Sequence, residues 1–128
     1  MILYVGGRAQ GKLELALREQ GLDNAQVWDG AVCPLEGFPE APVLNHLHLL
    51  IRRLMQAGID PAGYLEELEA HRPELVVICD EVGYGVVPME PFERQWREAV
   101  GRGCCALAAH SWRVVRVVAG LPQVLKEV

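Results

Sequence analysis

The chain has 128 residues, a formal net charge of −5, 51% hydrophobic residues and 23% charged residues. This composition is too apolar for a disordered tail, and it lacks the basic excess of a dedicated nucleic-acid binder. Of the 12 basic residues, only Lys12 and Lys126 are lysines, and Lys12 directly follows Gly11.

In chain order, Ile2 to Val5 is a short apolar run ending in Gly6-Gly7, which reads as a buried strand. From Gly11 to about Gln20, Leu13, Ala16 and Leu17 recur at helical spacing, and Gly21 stops that helix. Gln26–Asp29 is a second short strand, centred on Val27 and Trp28. Residues 30–42 carry Gly30, Pro34, Gly37, Pro39 and Pro42 and read as a loop. Val43 to Ala57 is predicted helical, with Leu44, Leu47, Leu50, Ile51, Leu54 and Met55 as a wide apolar stripe and Gly58 as its end. A further helix runs from Asp60-Pro61, with Asp60 as N-cap, to about His71.

Leu75 to Cys79 is a continuous β-branched run, the pattern of a strand buried on both faces. Gly83, Gly85 and Pro88 mark a loop, Pro91 to about Ala109 a helix, and Val114 to Ala119 a last strand. Gly120-Leu121-Pro122 is expected to turn out of it. Strands alternate with helices, which predicts a mainly parallel sheet with helices on both faces. A single α/β domain over residues 1–128 is expected.

The start of the chain lacks the basic segment of a secretory signal, and no apolar run approaches the roughly 18–20 residues of a membrane span. The expectation is therefore a soluble, cytoplasmic protein. Cys33, Cys79, Cys104 and Cys105 form no CxxC pair and read as reduced, mostly buried small apolar residues. Zinc is not expected.

Gly6-Gly7-Arg8-Ala9-Gln10-Gly11-Lys12-Leu13 fits the GxxxxGK spacing of a phosphate loop but lacks its final Ser or Thr. Glycines let backbone N–H groups turn inward around phosphate oxygens. The helix that opens at Gly11 aims its positive end at the same anion, and Lys12 adds a mobile cation. The motif follows a strand and opens a helix, the context it requires. The fold class implied is a three-layer P-loop NTPase-like domain with a mainly parallel, RecA-like sheet. Leu13 stands where a hydroxyl would bind Mg²⁺ and cannot coordinate a metal. It leaves open a core-packed relic or a loop served by another metal ligand.

The strand Leu75–Cys79 ends in Asp80-Glu81, where the carboxyl ends of parallel strands face a ligand crevice. If this strand neighbours the first, Asp80 lies near Mg²⁺, directly or through water, and Glu81 is placed to orient a nucleophile. The bland alternative is a solvated acidic turn. Glu81-Val-Gly-Tyr-Gly-Val-Val-Pro88 then sets two glycines around Tyr84.

These residues resemble the bifunctional adenosylcobinamide kinase/adenosylcobinamide-phosphate guanylyltransferase family of cobalamin biosynthesis. That family opens on a strand followed by GGxxxGKS, and Glu81 to Pro88 matches its Glu-Val-Gly-x-Gly-Ile-Val-Pro segment. Arg94-Gln-Trp96-Arg97-Glu98-Ala-Val-Gly101-Arg102 is similar to its Arg-x-aromatic-Arg-Asp-x-x-Gly-Arg helix, and Val118-Ala-Gly120-Leu-Pro122 to Lys126 to its tail. The likeness covers residues 1–28 and 74–126. Leu13 departs from the family's Ser, and Cys104-Cys105 stand where it has Asn-Gln. The family's guanylylated histidine segment has no clear counterpart. His71-Arg72-Pro73 directly precedes the Asp80 strand, the wrong place, and His46 and His48 fall on the predicted Leu-rich helix. The chain is short between Asp29 and Glu74, a gap that takes in that segment and up to one strand.

The resemblance implies ATP or GTP held with Mg²⁺ on Gly6, Gly7, Arg8, Ala9, Gln10, Gly11, Lys12 and Leu13, weakened by Leu13. Lys12, Asp80 and Glu81 are the catalytic candidates, with Asp80 on the metal. It further implies a corrinoid acceptor, phosphoryl transfer without guanylyl transfer, and a homo-oligomer. A module that holds nucleotide without turnover is the alternative of a different class, and a small stand-alone NTPase a weaker third. Arg94, Arg97 and Arg102 read as a solvated helix face beside Glu93 and Glu98. Trp28, Trp96 and Trp112 read as packing residues.

Overall fold

The computed structural model describes residues 1–83 and 90–128. Its elements are β1 (Ile2–Gly6), α1 (Lys12–Gln20), β2 (Val27–Asp29), β3 (Val43–Asn45), α2 (Leu47–Gln56), α3 (Pro61–His71), β4 (Val76–Asp80), α4 (Pro91–His110), β5 (Arg113–Val118) and β6 (Leu121–Glu127). The strands form one six-stranded sheet in the order β2-β3-β4-β1-β5-β6. All its pairs are parallel except the antiparallel β5–β6 edge.

Strand alternation sorts the core into two layers. Ile2, Tyr4, Val76, Ile78, Val115 and Val117 pack with Leu15, Ala16 and Leu17 of α1. Leu3, Val77, Cys79 and Val114 pack on the opposite face with the apolar stripes of α2, α3 and α4. This is the three-layer α/β arrangement of a P-loop NTPase-like fold. Leu47, Leu50, Ile51 and Leu54 of α2 are fully buried, so truncating any one to Ala costs about 2–5 kcal/mol. Asp60 caps α3 as expected, accepting from the Ala62 and Gly63 N–H groups, with Pro61 in the first turn.

Two elements differ from the sequence reading. Val43–Asn45 is a strand rather than the start of a helix, and α2 begins at Leu47 after His46. β3 pairs with β2 on one side and β4 on the other, so its backbone groups are satisfied without a helical turn. The stretch between Asp29 and Glu74 therefore keeps a strand. Gly120-Leu121-Pro122 does not leave the sheet: Ala119 and Gly120, at φ 51° and 75°, form a two-residue hairpin loop, and β6 returns along β5.

Cys33 and Cys79 are buried as expected, Cys104 is half-buried, and Cys105 is exposed. Trp28 and Trp96 pack against the core, whereas Trp112 is 48% exposed. Glu93 pairs with Arg52 across helices at 2.6 Å, while the Glu98–Arg102 pair lies along α4. No helix among the described residues is long and apolar enough to cross a membrane.

Candidate functional site

The loop between β1 and α1 is shaped by its glycines and by a contact from the far end of the chain. A Cβ on Gly6 would stand 2.6 Å from the Val117 carbonyl oxygen, so only glycine lets β1 end against β5 there. Gly11 occupies the left-handed N-cap position of α1 at φ 84°. The β5–β6 hairpin fastens the loop: Gln10 Oε1 accepts from the Ala119 N–H and the Gln10 carbonyl from the Gly120 N–H, each at 2.8 Å.

The register of β1 against β4 places Gly6 beside Asp80. The sequence alone set these residues far apart; the parallel pairing brings the loop lysine onto the strand-end carboxylate. Lys12 is 7% exposed, and its Nζ donates to the Gly7 carbonyl and to Asp80 Oδ1, both at 2.7 Å. Leu13 packs partly buried against the α1-side core.

His48, in the first turn of α2, completes this cluster. Its Nδ1 accepts the Asp80 backbone N–H at 3.2 Å, which leaves the ring proton on Nε2, 3.4 Å from Asp80 Oδ2. Burial lowers the His48 pKa, against the raising pull of Asp80, and the nearby His46 and Lys12 lower it further. His48 is thus a neutral imidazole fixed by the Asp80 backbone N–H beside the carboxylate.

A cleft of about 390 Å³ opens between the phosphate loop with the start of α1 and the group Asn45, His46, His48 and Asp80. The far wall is built from the carboxyl ends of β3 and β4 and the start of α2, where parallel strands present ligand-binding residues. Asn45 went unnoticed in the sequence because β3 was read as helix, and Asp29 was seen only as the end of a strand; the strand-end rule applied to Val43–Asn45 and Val27–Asp29 would have found both. His46 follows β3 in a left-handed conformation, φ 58° and ψ 47°, with its Nδ1 2.7 Å from Asp29 Oδ1.

Glu81 faces away from this cluster. The pleat sends it to the α4 side of β4, where its carboxylate takes both Nε (2.9 Å) and Nη2 (3.3 Å) of Arg116. It lines a second recess with Asp80, Val5, Val100 and Cys104. The Cys104 thiol is drawn down by its hydrogen bond with Cys79, against burial and the charge of Glu81. The Cys79 thiol is pushed up by the same bond and by burial. Tyr84 to Pro88, the rest of the glycine-flanked motif, lie outside the described residues. His71 lies at the end of α3, where its Nδ1 meets the Glu67 carbonyl and its ring stacks on Phe38. It lies outside the cleft, as do Arg94, Arg97 and Arg102.

Mg²⁺ keeps several waters and needs only one or two protein carboxylates besides the substrate phosphates. Asp80 supplies one such carboxylate at the loop, and Leu13 supplies no donor. No cluster of three or more His, Cys, Asp or Glu among the described residues forms a self-sufficient metal cage. The residues present fit a magnesium ion carried on a nucleotide.

A family model described as cobinamide kinase / cobinamide phosphate guanyltransferase matches residues 43–125. The match takes in β3 to β6 and begins after the phosphate loop. No curated protein matches the chain.

Proposed function

Because the chain belongs to the cobinamide kinase / cobinamide phosphate guanyltransferase family of cobalamin biosynthesis, we propose that it transfers the γ-phosphoryl group of ATP or GTP to the hydroxyl of adenosylcobinamide. The observation that carries this reading is the placement of Lys12 Nζ between the loop carbonyl of Gly7 and the carboxylate of Asp80 at the wall of the cleft.

The backbone N–H groups of the Gly6–Gly11 loop and the N-terminus of α1 bind the triphosphate. Lys12 exchanges its Asp80 partner for the β- and γ-phosphates, which frees that carboxylate to face the nucleotide's metal. Mg²⁺, when bound on the nucleotide and held by Asp80, neutralises phosphate charge. His48 accepts the Asp80 backbone N–H and sits beside its carboxylate. Catalysis is then positioning and charge neutralisation rather than covalent chemistry. Glu81 pairs with Arg116 on the other side of β4 and takes no direct part in the transfer. Guanylyl transfer is absent, because the histidine segment that the resemblance assigns to it has no counterpart. The acceptor is a corrinoid, and the working form is a homo-oligomer.

Leu13 favours a second reading, in which the loop holds nucleotide without turnover because its metal-side hydroxyl is replaced by a packed apolar side chain. Incubation with Mg-ATP or Mg-GTP and adenosylcobinamide separates the two. Phosphorylated product that disappears in Lys12→Ala supports the kinase. Nucleotide binding without product or released diphosphate supports the module, and no nucleotide binding at all removes both.

A further inference from the structure

The acceptor hydroxyl must lose its proton in a transfer of this kind, and His46 lines the cleft with one ring nitrogen that no described residue binds. We propose that His46, oriented by Asp29, is the general base for that proton; the inference rests on the phosphoryl-transfer reading above.

Parallel pairing of β2 with β3 sets Asp29 opposite Asn45, so the residue after each strand end meets the other strand's terminus. The Gly30 N–H donates to the Asn45 carbonyl at 2.8 Å and locks this junction. Asp29 Oδ1 then accepts from the Ala31 N–H at 2.9 Å and lies 2.7 Å from His46 Nδ1. Burial raises the Asp29 carboxyl, but the His46 and Ala31 hydrogen bonds and the charges of His46 and Arg53 outweigh it, and the net value is lowered. An ionised carboxylate accepts from Nδ1–H, so the lone pair of the neutral ring resides on Nε2.

That nitrogen makes no hydrogen bond among the described residues, and the ring lines the cleft with its side chain 40% exposed. The backbone of His46 is held left-handed while its carbonyl starts α2 by accepting from Leu49 and Leu50. Such a conformation is costly for any residue with a Cβ and is a feature of functional positions.

His48 and Asp80, also in the cleft, are committed, and Glu81 lies outside it. His48 Nδ1 is taken by the Asp80 N–H, its Nε2 lies 3.4 Å from Asp80 Oδ2, and Lys12 holds Asp80 Oδ1. Glu81 is held by Arg116. Glu14 lies on the phosphate side, in the first turn of α1.

In the step, the acceptor oxygen forms its bond to Pγ as its proton passes to His46 Nε2. The bond from Pγ to the bridging oxygen breaks, and the nucleoside diphosphate leaves with that electron pair. Asp29 stabilises the imidazolium, which returns its proton to solvent after product leaves. The titratable and charged groups that share the cleft with His46 are His48 on α2, Lys12 and Glu14 on α1, Arg8 on the loop and Asp80 on β4, with Asp29 on β2 bonded to its ring and Arg53 acting on Asp29.

The test uses the full chain with Mg-ATP or Mg-GTP and adenosylcobinamide. His46→Gln is expected to lower kcat by roughly 10²–10³-fold with the nucleotide KM within about threefold. The acid-side fall in the kcat profile of the unaltered protein should flatten in that variant. Added imidazole should partly restore His46→Ala, and Asp29→Asn should lose about tenfold in kcat because the tautomer is no longer held. Unaltered protein that gives product while His46→Gln keeps kcat within about threefold overturns the base alone. So does label from the nucleotide found covalently on His46, which would make it a nucleophile. Unaltered protein that gives no phosphorylated product overturns the base and the kinase reading together.

Discussion

Two recesses flank the carboxyl end of β4, and consecutive residues supply them. Asp80 turns to the phosphate-loop cleft, where Lys12 holds one of its oxygens and His48 lies 3.4 Å from the other. Glu81 turns to the α4 side, where Arg116 holds it above Val5, Val100 and Cys104. In the first, an anion, a cation and a neutral imidazole share one site beside a loop of free N–H groups, so a polyphosphate can displace the internal anion. In the second, one anion and one cation satisfy each other against an apolar wall. The period of the pleat separates the two, so an acidic pair at a strand end does not act as a unit.

The largest expected effect is that of Lys12→Ala, which leaves Asp80 without its cation and the γ-phosphate without its partner. Product formation should fall by roughly 10³-fold or more, measured as phosphorylated cobinamide per mole of protein. Asp80→Asn keeps the backbone hydrogen bond to His48 but removes the charge, and should cost roughly 10²-fold in kcat with a higher Mg²⁺ requirement. Leu13→Ser adds the missing oxygen and should lower the Mg²⁺ concentration for half-maximal nucleotide binding by about tenfold in a titration.

Glu81→Gln breaks the comparison if it behaves like Asp80→Asn. The expected outcome is a loss of about 1 kcal/mol in thermal unfolding, discounted because Arg116 is 43% exposed. Its kcat should stay within about tenfold, and a 100-fold loss, about 2.7 kcal/mol in the barrier, would move Glu81 into the reaction.

The smallest effect concerns Asp29, whose carboxyl is lowered from its ordinary 3.8. A depressed carboxylate stabilises the fold above the unfolded value and loses that stabilisation as pH falls through the folded one. Asp29→Asn should therefore flatten stability below about pH 4, by roughly 0.2–0.5 kcal/mol after solvent screening, in denaturant titrations at pH 3 and 6.

Local features of this fold are legible wherever one period dominates. The run Ile2–Val5 followed by glycines announces β1 and its loop, and Leu75–Cys79 announces β4, because both strands are buried on two faces and carry no competing pattern. β3 is hidden because Leu44 is in phase with the helical stripe that Leu47, Leu50 and Ile51 continue. β6 is hidden because its side chains are mostly exposed and Gly120 and Pro122 imitate a terminal turn. At the site, Lys12 and Asp80 are visible from their motifs. The roles of His48, Asn45 and the Asp29–His46 pair are not, since no local spacing joins Asp29 to a residue 17 positions away or Asp80 to one 32 positions away.

The amino-acid order thus specified a strand, a glycine loop and a lysine within its first 12 residues, an acidic strand end, and the alternation that forces a parallel sheet. These are local properties, dictated by backbone freedom, apolar period and helix polarity. Which carboxylate meets the lysine, which imidazole nitrogen keeps a lone pair, and which acid is spent on an arginine were decided by sheet order and register. Those choices depend on distances between residues remote in the chain, which only the packed strands establish.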